Sequence, residues 1–143
     1  MSNQLRTSYL IKRLELLVRT RLEEALRDFD ITTGQYAALS LLAKMPAPSS
    51  AQLARSIGVT PQTITDTILN FEERRLISRE RSSEHKRILR ISLTEDGRVL
   101  LKQCEKRATQ VEDELFAALN GAQLDDLRAS LLAVLHSVNE LRD

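Results

Sequence analysis

The sequence predicts a mainly α-helical fold with one small β-hairpin (α+β), and three observations carry that prediction. Apolar residues recur at helical spacing along most of the chain, and the spacing changes to strict alternation once, between residues 77 and 93. Aromatic residues make up only 3% of the 143 residues, with no tryptophan, so the core is built from Leu, Ile, Val and Ala, which suits packed helices. A hydrophobic content of 42% and a charged content of 29% are those of a soluble globular protein. The length fits one domain, 1–143, or one domain with a dimerisation extension. No apolar run approaches the ~20 residues needed to span a bilayer, so no membrane role is expected. The first residues lack the basic-then-apolar pattern of a signal peptide. The single cysteine, Cys104, excludes an internal disulfide and fits a reducing cytoplasm.

In chain order, Ile11, Leu14, Val18, Leu22, Ala25 and Phe29 form one apolar stripe on a first helix that should end near Asp30. Thr32-Thr33-Gly34-Gln35 reads as a capping box opening a second helix over about 33–44, which buries Tyr36, Leu39 and Leu42 or Ala43. Pro46-Ala47-Pro48 stops it. Ser49-Ser50-Ala51-Gln52 is another capping box and starts a short third helix, which Gly58 closes as a left-handed C′ residue. Thr60-Pro61 supplies an N-cap with proline at N1 for a fourth helix running to about Arg74. Leu89, Ile91 and Leu93 then alternate with Ile88, Arg90 and Ser92 as a strand with one buried face. Ile77–Arg81 is its antiparallel partner, joined through a polar tip at 82–86. Thr94-Glu95-Asp96 caps a long helix with acids placed favourably against its dipole. That helix carries the stripe Leu101, Cys104, Ala108, Val111, Leu115 and Leu119, and Asn120-Gly121 should break it. A last helix carries Leu124, Leu127, Leu131, Val134, Val138 and Leu141.

The layout separates a compact unit over 33–93 from long amphipathic helices at 5–30 and 98–143. A small domain cannot bury those outer stripes alone. A second copy of the chain is the simplest cover, so a homodimer is expected.

Net charge is only +1, but it is unevenly spread: +2 over 1–54, +4 over 55–107 and −5 over 108–143. Arg74–Arg90 holds seven basic residues against Glu80 and Glu84. A local basic patch on a near-neutral chain points to an anionic partner at one place, with a merely solvated hairpin as the alternative.

A helix-turn-helix needs a small residue where two helices cross, a glycine in the turn and an apolar anchor in the second helix. Ala54, Gly58 and Ile64 meet those needs. The turn lets the Thr60–Arg74 helix lie in a major groove, with Pro61, Gln62, Thr63, Thr65 and Asp66 facing outward. Short hydroxyls and an amide suit hydrogen bonds to bases and phosphates. The basic hairpin that follows adds a second contact as a wing. The expected fold is therefore a winged helix-turn-helix flanked by N- and C-terminal dimerisation helices.

Nearly the whole chain resembles the MarR family. The matching stretches are Thr-Thr-Gly-Gln-Tyr (32–36) with Leu-Leu-Ala (41–43), Gln-Leu-Ala-Arg-Ser-Ile-Gly-Val (52–59), Thr-Ile-Thr (63–65), Leu-Ile-Ser-Arg (76–79) and Leu-Thr-Glu-Asp-Gly (93–97). The resemblance implies a dimer of winged domains whose first and last helices interlace. It implies a transcriptional regulator, usually a repressor, that binds a pseudo-palindromic operator in double-stranded DNA. Release would be by a small aromatic or phenolic effector or by oxidation.

By position, Arg87 matches the wing-tip arginine that enters a minor groove, a setting that suits a guanidinium, and Lys86 is its basic neighbour. The expected DNA-contacting set is Ser50, Thr60, Pro61, Gln62, Thr63, Thr65, Asp66, Arg79, Lys86 and Arg87. Three positions depart from the family pattern. His85 stands where an aspartate usually holds the wing arginine. Asp66 stands where relatives are commonly basic, and could accept from a cytosine amino group or pair with an arginine. Arg75 stands where a glycine is expected.

Tyr9, Arg13 and Tyr36 are the candidate lining of an effector cleft, Tyr36 being equally a core residue. Cys104 lies on an apolar stripe and reads as an inert core thiol. His85 and His136 belong to no ligand cluster, so neither a metal nor another cofactor is expected. The chain has no nucleophile elbow, phosphate-cradling glycine loop or His/Cys/acid cluster, which argues against an enzyme. A winged helix that binds protein rather than DNA is the alternative function.

Overall fold

The computed structural model describes residues 4–140. The elements are α1 (Thr7–Leu26) with a 3₁₀ turn (Arg27–Phe29), α2 (Thr33–Lys44), α3 (Ser50–Ile57), α4 (Pro61–Glu73), β1 (Ile77–Arg81), β2 (Leu89–Leu93), α5 (Glu95–Leu115) and α6 (Gly121–Glu140). The two strands form one antiparallel hairpin in which Ile77 faces Leu93 and Arg81 faces Leu89. This is the winged helix-turn-helix layout expected, mostly helical with a single hairpin.

Local signals account for most boundaries. Thr32 and Gln35 exchange hydrogen bonds of 3.1 and 3.0 Å, and Ser49 and Gln52 do the same at 3.2 and 2.9 Å. Both capping boxes are thus closed, satisfying amides at the first turns of α2 and α3 that no helical carbonyl can reach. Gly58 ends α3 with φ 81°, and Thr60 caps α4 ahead of Pro61.

Arg75 takes up the left-handed conformation (φ 58°) that the expected glycine would have had. Its amide donates to the Glu72 carbonyl (2.9 Å), and the Leu76 amide donates to the Phe71 carbonyl (2.8 Å). This is a Schellman closure, with buried Leu76 and Phe71 as its apolar contact. An arginine here carries a steric cost of about 1 kcal/mol that glycine would avoid.

The core collects the inward faces of α2–α4, the root of the hairpin, Leu26 of α1, and Leu101 and Cys104 of α5. Phe71, Leu39, Leu53 and Ile91 lie fully inside it. The Ile91 amide donates to the Pro48 carbonyl (3.0 Å), which straps β2 to the loop before α3.

Four expectations need correction. The α-helical part of α1 stops at Leu26, and Phe29 sits in the tighter turn before a left-handed Asp30. The apolar period cannot show this change, because a 3₁₀ turn keeps a similar spacing. α5 ends at Leu115, not at Asn120-Gly121. Asn120 instead opens α6, with its side chain accepting from the Gln123 amide at 2.9 Å and its own amide donating to Gln123 Oε1 at 2.9 Å. Leu89, assigned to the buried face of β2, is exposed, since the hairpin projects beyond the core and only Ile91 and Leu93 reach it. Tyr36, expected to be buried, is half-buried, while of the two residues offered near the end of α2 it is Leu42 that is buried. Leu141 lies outside the described residues.

The first half of α5 belongs to the winged unit, while its second half runs along α1. Arg21 pairs with Glu114, and Arg107 reaches Asp28 at 3.4 Å while lying 5.4 Å over the Phe29 ring. The start of α5 is pressed against the turn after α4. A Cβ on Gly97 would lie 2.1 Å from the Leu76 carbonyl oxygen, whereas one on Gly121 would meet open space. Gly97→Ala should therefore lower the unfolding free energy in urea by about 2 kcal/mol or more. Gly121→Ala should be neutral or stabilising by no more than about 1 kcal/mol. Equal midpoints for the two variants would contradict the close approach.

Candidate nucleic-acid interface

Ala54 and Ile64 are buried where α3 and α4 cross, so the turn holds α4 with its first two turns pointing away from the core. Pro61, Gln62, Thr63, Thr65 and Asp66 are all exposed, as is the cap residue Thr60. Their polar atoms are partly used within the helix. Thr60 Oγ1 accepts from the Thr63 amide (3.1 Å) and lies 2.9 Å from Thr63 Oγ1, and Thr65 donates to the Pro61 carbonyl (2.8 Å). Asp66 meets neither an arginine nor a lysine among the described residues. It accepts from Gln62 Nε2 at 3.0 Å, one turn away.

The wing tip is closed by its own backbone. The Ser82 amide donates to the Ile88 carbonyl (2.8 Å), and the Ile88 amide to the His85 carbonyl (2.9 Å). Buried Ser82 accepts from the Glu84 and His85 amides, both at 3.3 Å. Lys86 and Arg87 stand exposed and make no ion pair or side-chain hydrogen bond within the described residues. His85 does not replace the family aspartate as a partner for Arg87.

Arg79 behaves differently. Its guanidinium grips the Glu72 carboxylate of α4 with two nitrogens, Nε to Oε1 and Nη2 to Oε2, the second at 2.8 Å. Such a fork pins the hairpin to α4 and neutralises the charge expected to meet a phosphate. Glu72 is the residue that sequence reasoning missed. Its partner lies seven positions on, beyond a turn whose shape depends on Arg75, so no helical or strand spacing reveals the pair. Arg74 and Arg90 are likewise turned inward. Arg74 donates to the Asp30 and Phe29 carbonyls (2.8 and 2.9 Å), and Arg90 approaches the Ala47 carbonyl and Gln52 Oε1, both at 3.4 Å.

Two clefts share the start of α3. One, about 310 Å³, runs between Ser49, Ser50 and Ala51 on one side and Arg79, Arg87 and Ile88 on the other. The second, about 240 Å³, lies between Ser50, Ala51 and Arg55 and the α4 residues Pro61 and Thr65. Ser50 and Ala51 border both, so the first turns of α4, the start of α3 and the wing form one continuous concave face.

Tyr9, Arg13 and Tyr36 are not brought into one cavity within a single chain. Arg13 lies 5.9 Å over the Tyr9 ring and borders an open apolar hollow of about 690 Å³ along α1 with Leu10 and Leu17. Tyr36 packs against the core instead. Burial raises its phenol pKa, and Glu105 and Cys104 add to this, against a hydrogen bond with Ser40 that lowers it. Among the described residues no group of His, Cys, Asp and Glu could hold a metal ion, and no helix is long and apolar enough to cross a membrane.

The profile described as MarR family matches residues 29–88, which span α2, α3, α4 and most of the hairpin. HTH-type transcriptional repressor Rv2887 of Mycobacterium tuberculosis is 29% identical over 123 residues, covering 86% of this chain and 88% of the repressor. Over residues 29–88 the chain is thus similar to the MarR family, and the relative that shares most of its length is named as a transcriptional repressor. A crystal structure of Rv2887 in complex with salicylic acid superposes with a TM-score of 0.75 at 27% identity, over 94% of this chain and 99% of that one. The S. aureus MepR–DNA complex has the same fold, with a TM-score of 0.80 at 24% identity over 94% and 99% of the two chains. At two of the positions where the sequence departs from the expected pattern, Arg75 is left-handed and Asp66 is met by Gln62 rather than by a cation.

Cys104 is fully buried. Burial pushes its thiol pKa up, the charge of Arg74 lowers it, and that of Glu105 raises it. A thiol held protonated is a poor nucleophile toward peroxide. Below the unfolded thiol's pKa of about 8.5 both states keep the proton, and above it only the unfolded chain ionises and gains. Stability should therefore fall as pH rises through about 8.5 and beyond, and Cys104→Ala should flatten that fall. Parallel curves for wild type and variant in urea titrations from pH 7.5 to 9.5 would contradict the raised thiol.

Proposed function

We propose that this chain is a MarR-family, sequence-reading DNA-binding transcriptional regulator, a repressor that works as a homodimer and is released by a small aromatic acid. The observation that carries the reading is the continuous face joining the open first turns of α4 to the wing, with Arg87 at its edge and Lys86 beside it, both exposed and without an ion pair among the described residues. Such a face offers short polar side chains to a major groove and a free guanidinium to the adjacent minor groove. Thr60, Gln62, Thr63, Thr65 and Asp66 are its base-facing part, with Pro61 against the groove wall. Ser50 contributes at the start of α3, beside the backbone. Arg79 acts mainly by holding the wing.

Dimer formation is supported by the apolar surface left on the outer helices. Leu131, Val134, Leu135 and Val138 of α6 are 41–60% exposed, and Leu10 and Leu17 of α1 nearly half exposed. A hollow of about 600 Å³ between Leu14, Val18 and Leu22 of α1 and Leu127 and Leu131 of α6 awaits side chains from another molecule. Patches of this kind on a monomer mark association sites. For the effector, Arg13 supplies a cation for a carboxylate and Tyr9 an aromatic surface beside it. Support also comes from the relative Rv2887, which has been crystallised with salicylic acid.

In a homodimer, the half-sites of the operator should lie about one helical turn apart, ~10 bp. Arg87→Ala should weaken binding by about 1–3 kcal/mol and reduce the salt slope by about one unit. Arg79→Ala, whose charge Glu72 already matches, should change the slope less and lower thermal stability instead. Fluorescence anisotropy across a salt series makes the comparison, and a wild type with no salt-dependent affinity for any duplex would favour the protein-binding alternative. Sedimentation should show a dimer at micromolar concentration and a monomer or aggregate for Leu131→Glu. A monomeric wild type would refute the architecture.

A further inference from the structure

The first two turns of α4 have an unusual hydrogen-bonding character for a helix that reads DNA. Pro61–Glu73 contains no lysine or arginine, so the commonest contact to guanine, a cation forked onto O6 and N7, has no source on this helix. The hydroxyl protons of Thr65 and Thr67 are directed to the carbonyls of Pro61 and Thr63, at 2.8 and 3.0 Å. These side chains therefore present oxygen lone pairs and methyl groups outward. Asp66 adds a carboxylate that can only accept. The exposed face is rich in acceptors and poor in donors.

Gln62 and the Thr63 hydroxyl, which accepts from Thr60 Oγ1 at 2.9 Å and keeps its own proton, are the exceptions, and Asp66 decides how Gln62 can be used. The amide nitrogen of Gln62 donates one proton to Asp66 Oδ1 at 3.0 Å. The reversed amide would place its oxygen against the carboxylate, so the pairing selects one of the two orientations. One N–H and the carbonyl oxygen of Gln62 then remain, a donor and an acceptor together. That is the complement of adenine, whose major-groove edge offers the N7 acceptor and the N6 amino donor. Guanine offers two acceptors there and would leave the Gln62 oxygen and the Asp66 carboxylate facing like charge.

We propose that Asp66 is a specificity-determining residue, which by holding the Gln62 amide in one orientation makes that side chain an adenine reader and turns the start of α4 against guanine. The inference rests on the DNA-reading function proposed above. It assigns position 66 a positive use: its acidity lowers general attraction to phosphate while sharpening the choice of base.

The test is selection of duplexes from a random pool by the wild-type dimer, followed by equilibrium binding at one fixed salt concentration. The selected half-site should contain an adenine whose replacement by guanine or by 7-deazaadenine weakens wild-type binding about tenfold or more. Gln62→Ala should bind all three duplexes within about twofold of one another. Asp66→Asn should bind the adenine duplex as tightly as wild type or more tightly, yet lose most of the discrimination. Both positions are exposed, and unchanged thermal melting confirms that the variants fold. Guanine at the contacted position, or full discrimination retained by Asp66→Asn, would overturn the inference and leave DNA binding standing. Absence of any salt-dependent binding by wild type would remove both.

Discussion

The arrangement of this molecule depends on one close approach, between the first turn of α5 and the carbonyl of Leu76. The Thr94 amide donates to that carbonyl at 3.0 Å, its hydroxyl donates to the Arg75 carbonyl at 2.8 Å, and Gly97 leaves out the Cβ that would collide there. Three elements meet at this point: the end of α4, the root of the hairpin and the start of the long helix. The angle of the helix that faces outward, and the reach of the wing, are therefore set relative to α5 by backbone contacts rather than by flexible side chains. Side-chain packing alone would leave that geometry looser. A carbonyl already receiving one hydrogen bond and shielded by a glycine has little room to slide.

Where a boundary is decided by neighbours in sequence, it can be read without the structure. The two capping boxes, the Thr60-Pro61 start and the glycine turn at 58 are chemical instructions complete within four residues, and the hairpin register follows from one alternation of apolar residues. Where a boundary is decided by space, the sequence is silent. Asn120 looks like a helix breaker because asparagine followed by glycine favours turns, yet a glutamine three positions on makes it a cap. The same kind of box was legible at Thr32 and Ser49, where no long apolar stripe ran through it. Leu89 keeps the strand alternation but lies past the edge of the core, and alternation carries no information about where a core ends.

The candidate site was legible as to place but not as to charge. Seven basic residues between Arg74 and Arg90 suggested a local positive patch. Three of them, Arg74, Arg79 and Arg90, are turned to carbonyls, to Glu72 or to a glutamine, and serve the fold. Arg75, Arg81, Lys86 and Arg87 are left exposed along the hairpin and its approach. A count along the chain cannot make this division, because the acceptors come from Asp30, Ala47 and Glu72 on other elements. The candidate effector residues were the least accessible of all, since Arg13 stacks over Tyr9 on α1 while Tyr36 packs against the core.

The apolar stripes of α1 and α6 lie at opposite ends of the chain, and this has a consequence for how the protein is made. During synthesis at about 5–20 residues per second, α1 emerges some 5–20 s before α6 can follow it. For that interval its outward leucines stay uncovered. The helix is, however, dense with ions: Lys12, Arg13, Glu15, Arg19, Arg21, Glu23 and Glu24 flank the apolar face and cover the opposite side. A stripe hemmed by charge in this way resists collapse onto other nascent chains while the winged unit closes around its own core. The ions on α1 thus protect an unfinished molecule as much as they solvate the finished one.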